Sequence, residues 1–234
     1  MTVPQHTIAI TGIDTNAGKS MVTGLLARHL LDQGRAVTTL KLVQTGCTGM
    51  AEDIVQHRRL MGQALTDFDR DGTTCPYVFP FPASPLLAAR MAGARIDSAV
   101  LDRSIETLRQ RLDWLLVEAA GGLLVPLQEN LHLLDYLAEK KLPLILVTSP
   151  RLGSINHTRL SLEAIRARAV PLVGLVYNLY GDYPREIVQD TLAECRNALI
   201  DYGFVPNLVI LPDLAESTAT AWPVLVNATR DFCA

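Results

Sequence analysis

The chain has 234 residues, of which 49% are hydrophobic, and its formal net charge is -3. This length and apolar content suit one α/β domain with a sizeable core, so we expect residues 1–234 to form a single domain. A charge so close to neutral, without a local cluster of lysine and arginine, argues against nucleic acid as a partner.

The cysteines are widely scattered and form no C-x-x-C pair, which predicts reduced thiols and a cytoplasmic protein. They are Cys47, Cys75, Cys195 and Cys233. Residues 1–10 lack the basic and apolar regions of a signal peptide. The apolar run from Leu142 to Val147 is too short to cross a bilayer, so we expect no membrane association.

Short β-rich segments alternate with helical patterns, which is typical of a mainly parallel sheet covered by helices on both faces. We predict strands at Thr7–Thr11, Ala36–Lys41, Trp114–Glu118, Leu144–Thr148, Leu172–Asn178 and Leu208–Leu211. A helix that ends near Gly34 joins the first two strands, and others are predicted at Ser84–Met91, Ser98–Arg111, Ile155–Ala167 and Pro184–Asp201. The least regular stretch, Cys47 to Pro82, is predicted to be loop-rich active-site surface.

A glycine-containing loop follows the first predicted strand, where residues 12–20 read Gly-Ile-Asp-Thr-Asn-Ala-Gly-Lys-Ser. The strict pattern G-x-x-x-x-G-K-[ST] lacks its first glycine here, but a strand, a loop and a helix start remain. We therefore predict a phosphate-binding loop in which Lys19 neutralises the β- and γ-phosphates and Ser20 coordinates Mg²⁺. The alternative is a turn that only starts a helix.

Charged residues also end the next predicted strands, at the sheet edge where ligands of such folds bind. Lys41 ends the second strand, where it is placed to flank the same phosphoryl group as Lys19. Glu118 ends the third strand and is a candidate Mg²⁺ ligand, and Asp53 offers another oxygen. From the sequence alone, a solvated lysine at position 41 and an ordinary loop acid at position 53 are equally good interpretations.

Four segments in order resemble the motifs of ATP-dependent dethiobiotin synthetases. They are residues 12–20, Lys41–Gly46, Val117–Gly122 and Leu152–His157, and the resemblance extends to about Glu216. It implies a single-domain P-loop enzyme that uses ATP and Mg²⁺. Its reaction would join carbon dioxide to 7,8-diaminopelargonic acid and close a cyclic urea in biotin biosynthesis.

The resemblance also implies roles for individual residues, with Lys19 and Lys41 as the catalytic pair. Mg²⁺ would be held by Ser20, Asp53 and Glu118. ATP would be bound by Asn16, Ala17, Gly18, Lys19, Ser20, Met21, Asp53, Glu118, Asn178, Pro212, Asp213 and Leu214, with Asn178 reading the base. The substrate would be bound by Thr15, Lys41, Thr45, Gly121 and, across a homodimer interface, Ser154, Ile155 and Asn156.

The phosphate loop alone leaves other functions open, because a fold does not determine a reaction. One alternative is a related P-loop amidoligase, which needs an ammonia source, and another is a nucleotide switch resembling partition ATPases. The sequence also departs from the family pattern at Leu42, Leu86 and Ala119, where proline, histidine and glycine are usual. Leu42 predicts a less rigid backbone at Lys41, and Ala119 predicts an added methyl group near the substrate.

Overall fold

The computed structural model describes residues 6–213 and 220–232. The strands are β1 His6–Gly12, β2 Val37–Lys41, β3 Gln44–Thr45, β4 Val78–Phe79, β5 Trp114–Gly122, β6 Pro126–Gln128, β7 Leu131–His132, β8 Leu144–Thr148, β9 Leu172–Asn178 and β10 Leu208–Leu211. The α-helices are α1 Lys19–Asp32, α2 Glu52–Met61, α3 Asp67–Arg70, α4 Pro85–Met91, α5 Ser98–Arg109, α6 Leu133–Glu139, α7 Ser154–Ala167, α8 Arg185–Asp201 and α9 Pro223–Ala228, followed by a 3₁₀ turn at Thr229–Phe232. Within these residues, every helix is too short or too polar to cross a membrane.

The central sheet has six strands in the order β10-β9-β8-β1-β5-β2, and all of its pairings are parallel. These are the six strands predicted from the sequence. The main difference is β5, which continues beyond Glu118 to Gly122 because Gly122 still pairs with Gly12 of β1. The smaller strands form two separate two-stranded sheets, β3 with β4 and β6 with β7.

The central strands are buried on both faces of the sheet. Every residue of β8 and β9 is buried, and so are the first seven residues of β5. Since successive strand residues point to opposite faces, both faces must be covered, here by the helices that connect the strands. The predicted α/β class with helices on both faces is therefore confirmed, while the single-domain assignment of residues 1–234 stays a prediction.

The stretch from Cys47 to Pro82, predicted to be loop-rich, contains loops but also α2, α3 and β4, which were not predicted. The buried residues of α2 are Ile54, His57, Arg58 and Met61, which follow helical spacing. Two of those four are polar, so the apolar periodicity that normally reveals a helix is faint. The short helices α6 and α9 were also not predicted.

A buried ion pair fastens α2 to α3. Arg58 donates to both carboxylate oxygens of Asp69, with N–O distances of 2.9 and 2.7 Å, and Arg58 also bonds Thr39 of β2 at 2.9 Å. Burial opposes ionisation of Asp69, but the hydrogen bonds from Arg58 and the Thr66 amide lower its pKa to about 2. The pair therefore stays charged at neutral pH and fixes α2 beside the sheet.

Replacing Asp69 with alanine should lower the free energy of unfolding by about 3–5 kcal/mol, because the buried Arg58 guanidinium would lose its counter-charge. Urea unfolding at pH 7 measures this change. The matched control is Asp67→Ala in the same helix, since Asp67 pairs with Arg70 at the surface at 3.1 Å. An exposed pair contributes about 0–1 kcal/mol. Equal small losses in both variants would contradict the structural role of the buried pair.

Candidate active site

The carboxyl-terminal edge of the central sheet surrounds a cavity of about 840 Å³. Side chains and backbone from the β1–α1 loop, β2, α2, β5 and the end of β9 line it. This volume falls within the range of about 300–1,000 Å³ that is typical of ligand pockets. The cavity brings together twelve of the residues predicted from the sequence: Thr15, Asn16, Gly18, Lys19, Ser20, Met21, Lys41, Thr45, Asp53, Glu118, Gly121 and Asn178.

The loop between β1 and α1 adopts a conformation that requires its glycine. Gly18 has a φ of 99°, and a Cβ placed on it would lie 2.2 Å from the side-chain nitrogen of Asn178. Asn178 donates from that nitrogen to the carbonyl of Ala17 at 3.1 Å. The amides at the start of α1 are free of side-chain capping, as an anion-binding helix start requires. The geometry is that of a phosphate-binding loop.

Four side chains converge at the end of this loop. The Lys41 ammonium lies 2.7 Å from Asp53 Oδ2 and 2.7 Å from Glu118 Oε1. The Ser20 hydroxyl lies 3.0 Å from both Asp53 Oδ1 and Glu118 Oε1. Lys41 and Glu118 are register neighbours on β2 and β5. Asp53 lies in the first turn of α2, and its backbone amide donates to the side-chain oxygen of Gln44 at 3.2 Å. The structure therefore brings together four residues that the sequence singled out, while their roles stay predictions.

Charge balance keeps Lys41 and Glu118 ionised despite their burial. Burial lowers the pKa of Lys41, but the carboxylates of Glu118 and Asp53 outweigh it and raise that pKa above its ordinary value. Burial likewise opposes ionisation of Glu118, and the charge of Lys41 together with the hydrogen bond from His57 lowers the Glu118 pKa well below its usual range. Lys19 differs, because burial and repulsion from Lys41 lower its pKa to about 8.

The donors in the cavity suit a magnesium ion. Ser20, Asp53 and Glu118 place one hydroxyl and two carboxylates around a common point, and Mg²⁺ in nucleotide sites is held by one or two carboxylates with phosphate oxygens and water. The Lys41 ammonium already contacts the same carboxylates, which shows that this point attracts positive charge. Within the described residues, this cavity included, no three His, Cys, Asp or Glu side chains are grouped as metal ligands, so the candidate site here rests on two carboxylates and one hydroxyl.

Several predicted site residues do not line this cavity. Ser154, Ile155 and Asn156 form the first turn of α7, with Ser154 buried and Asn156 exposed. Ala17 contributes its carbonyl to Asn178 and has a buried side chain, and Pro212 and Asp213 follow β10 outside the cavity lining. Leu214 lies outside the described residues. The roles that the family resemblance implied for these residues stay predictions.

The departures from the family pattern have local explanations. The Leu42 amide donates to the Glu118 carbonyl at 3.1 Å, a bond that proline could not make, so this bond ties down the backbone after Lys41. Ala119 is fully buried in the hydrophobic core and does not line the cavity. Leu86 lines a different cavity, beside α4 and β6.

Sequence reasoning missed several residues of the site, and two of them carry charge or contact a charged group. Arg151, which lines the cavity, pairs with Asp14 of the phosphate loop at 2.7 Å. His57 is fully buried and lies 2.6 Å from Glu118 Oε2. A helix over residues 52–61 would have revealed His57, because Asp53 and His57 are then four residues apart on one face.

Comparison with known proteins identifies the structural class of the domain. Residues 6–221 match a family model described as an AAA domain. The cell division ATPase MinD of Pyrococcus furiosus has a similar structure, with a TM-score of 0.52, 17% identity, and coverage of 97% of this chain and 98% of that one. At that identity the likeness shows the fold alone. The chain is thus a P-loop domain with a MinD-like fold.

Relatives that are similar in sequence identify the family to which this P-loop domain belongs. The ATP-dependent dethiobiotin synthetase BioD of Chlorobaculum tepidum is 48% identical over 216 residues, which cover 92% of this chain and 90% of the relative. The ATP-dependent dethiobiotin synthetase BioD 2 of Haemophilus influenzae is 46% identical over 182 residues, covering 78% and 95%. The chain belongs to the ATP-dependent dethiobiotin synthetase family, which confirms the resemblance seen in its motifs, and it is an enzyme.

The lowered pKa of Lys19 predicts a pH-dependent effect on stability. The folded pKa is about 8 and the unfolded value about 10.4, so between these values the unfolded chain binds one more proton. The protonated Lys19 therefore destabilises the folded protein below pH 8, and this cost disappears as the pH rises towards about 10.4. Replacing Lys19 with methionine should raise the free energy of unfolding at pH 7, by up to about 3 kcal/mol, and by less at pH 10.

Urea unfolding of nucleotide-free protein at both pH values measures this effect. Lys140→Met is the control, since the Lys140 ammonium is partly exposed and pairs with Asp102 at 2.6 Å. A Lys19→Met variant that is less stable than the wild type at pH 7 would refute the argument, and so would an equal gain at both pH values.

Proposed function

We propose that the chain is an ATP-dependent dethiobiotin synthetase that acts in biotin biosynthesis. It would join carbon dioxide to 7,8-diaminopelargonic acid and close the cyclic urea, with release of ADP and phosphate. Family membership supports the reaction, and the observation that carries the assignment of roles is the cluster of Lys41, Asp53 and Glu118 facing the phosphate loop. The cavity of about 840 Å³ offers space for a nucleotide beside a small diamine.

The proposed reaction has two bond-forming stages after carbon dioxide adds to one amine. The resulting carbamate oxygen attacks the γ-phosphorus of ATP, the bond to the β-phosphate oxygen breaks, and ADP leaves. The second amine then attacks the carbonyl carbon of the mixed anhydride, loses its proton and expels phosphate as the ring closes. No side chain is required as a nucleophile, so the protein contributes positioning and charge neutralisation.

The residues of the cavity are suited to positioning the reactants and neutralising their charge. Lys19 and Lys41 would neutralise the transferring phosphoryl group. Burial and then repulsion from Lys41 lower the Lys19 pKa, and an anion bound near both lysines would relieve that repulsion. Ser20, Asp53 and Glu118 would hold Mg²⁺, which supplies charge neutralisation on the phosphates when bound. The amides from Asn16 to Met21 would contact the phosphates, with Asn178 near the base.

The remaining assignments concern the diamine. Thr15, Thr45 and Gly121 line the same cavity as Lys41 and are proposed to contact it. The first turn of α7, Ser154 to Asn156, is proposed to bind its carboxylate, because a helix start carries partial positive charge and presents backbone amides. The Ser154 amide already donates to the Arg151 carbonyl at 2.9 Å, so the amides of Ile155 and Asn156 are the proposed donors. Since these three residues lie outside the cavity, they would act on the substrate of a partner subunit.

The reaction itself is tested with pure protein, ATP, Mg²⁺, labelled bicarbonate and the diamine. We expect label in an acid-stable cyclic urea and phosphate release that requires both bicarbonate and diamine. Lys41→Ala should lower turnover by about 10²- to 10³-fold, because it removes one group that stabilises charge in the transition state. Its effect on nucleotide affinity should be much smaller. Lys140→Ala, at an exposed pair, should leave both unchanged.

Two outcomes would contradict this proposal. ATP hydrolysis that is indifferent to the diamine would favour a nucleotide switch, and a product that incorporates ammonia would favour an amidoligase. Equal loss of turnover and nucleotide affinity in Lys41→Ala would remove the proposed catalytic role of that lysine.

A homodimer is proposed on the surface beside α7. Leu124, Leu152 and Leu160 are 52%, 82% and 56% exposed, and Leu124 and Leu160 line one cleft of about 360 Å³. Exposed apolar clusters of this kind mark interaction surfaces. Thr15 and Val125 line both this cleft and the active-site cavity, so a partner seated here would lie next to the substrate.

Replacing Leu160 with glutamate should convert a dimer into monomers, because a carboxylate would be buried in the interface. Sedimentation equilibrium at micromolar concentration measures the mass. Met91→Glu is the control, since Met91 is 62% exposed on α4 and lines neither cavity. A monomeric wild-type protein, or a Leu160→Glu variant that stays dimeric, would overturn the proposed interface.

A further inference from the structure

His57 connects a buried network to the charge cluster of the active site. It lies on α2, four residues after Asp53, and its side chain is fully buried. Its Nδ1 lies 3.0 Å from the hydroxyl of Thr39, and its Nε2 lies 2.6 Å from Glu118 Oε2. The ring thus bridges β2 and the carboxylate at the end of β5.

The partners of the ring determine which of its nitrogens donates. The Glu118 carboxylate can only accept, so His57 Nε2 carries a proton and donates to Glu118 Oε2. In the neutral ring Nδ1 then accepts from the Thr39 hydroxyl, whose oxygen also accepts from Arg58 at 2.9 Å. Arg58 itself is held by both oxygens of Asp69. A chain of donors therefore runs from the buried ion pair to Glu118.

This series of hydrogen bonds fixes the rotation of the Glu118 carboxylate. One oxygen, Oε2, is taken by His57, so the other, Oε1, faces the cavity, where it lies 2.7 Å from the Lys41 ammonium and 3.0 Å from the Ser20 hydroxyl. Without the imidazole, the carboxylate could rotate, and its buried Oε2 would lack a partner. Ligands of metal sites are commonly oriented by such outer hydrogen bonds.

We propose that His57 is a positioning residue that holds Glu118 Oε1 towards the cation site of the nucleotide cavity. The proposal rests on the proposed function, in that the cation is taken to be the Mg²⁺ that accompanies the nucleotide. His57 touches neither nucleotide nor diamine in this account. Thr39 and Arg58 support this role by fixing the orientation of the His57 ring.

The test measures Mg²⁺ and ADP binding by calorimetry, without the diamine. Mg²⁺ is titrated at fixed ADP, and ADP is titrated separately with EDTA present. In His57→Phe, which keeps a ring but removes the donor, half-saturation by Mg²⁺ should shift to about 10- to 100-fold higher concentration. The affinity for ADP with EDTA present should be unchanged. His57→Gln, whose amide can donate to the same carboxylate oxygen, should recover most of the loss.

His29→Phe serves as the matched control, because His29 is on α1 and bonds the side chain of Gln33 at 3.0 Å. If His57→Phe does not fold, Thr39→Val carries the test, since it removes the hydroxyl that orients the ring and should shift half-saturation in the same direction by a smaller factor. An unchanged Mg²⁺ requirement in the folded variants would overturn the proposal. Equal loss of ADP affinity with and without Mg²⁺, or no recovery in His57→Gln, would overturn it as well.

These results are separable from the proposed reaction. A wild-type protein that binds Mg²⁺ and ADP as expected but forms no cyclic urea would refute the synthetase assignment and leave the His57 measurement valid. Conversely, if the protein forms the cyclic urea but its Mg²⁺ requirement is the same in the His57 variants, the synthetase assignment stands and the positioning role of His57 is refuted.

Discussion

The ammonium group of Lys41, buried between the carboxylates of Asp53 and Glu118, is the interaction on which the site depends. A buried ion pair is costly unless each charge is matched, and removal of one member leaves the others uncompensated. Here three elements supply the members, namely β2, α2 and β5. The fold must therefore bring those elements together correctly before the cavity can hold a charged ligand.

The parallel sheet explains how this convergence is reached. Lys41 and Glu118 end neighbouring strands in register, so their side chains share one edge of the sheet. Asp53 comes to the same place because α2 is fastened to the sheet through Arg58, Asp69 and Thr39. The chemistry of the site and the stability of the α2 region are thus linked by one buried polar network.

Much of the fold follows from the sequence, because the strands of the central sheet are short apolar runs with clear flanks. The ends of β8, β9 and β10 agree with the predicted ones. The phosphate loop and the strand-end charges are also visible as motifs, which is why the phosphate-loop and charged parts of the cavity lining could be predicted. These signals are local in sequence, and local signals are what pattern reasoning detects.

The α2 region shows where that reasoning fails. Its buried face carries His57 and Arg58 in place of apolar residues, and the reason is a network that only the folded chain assembles. The same limit applies to Ala119, whose neighbourhood could not be judged from a motif, and to the first turn of α7, whose proposed ligand would belong to a second subunit. Long-range packing decides these positions.

The most direct test of the central claim is a crystal structure of the protein with Mg²⁺ and a non-hydrolysable ATP analogue. The account predicts a metal coordinated by Ser20, Asp53 and Glu118 at about 2.0–2.1 Å where they bind directly, with the Lys19 and Lys41 ammonium groups both contacting the terminal phosphate. A terminal phosphate contacted by Lys19 while Lys41 contacts only Asp53 and Glu118, or a metal held by other residues, would contradict it.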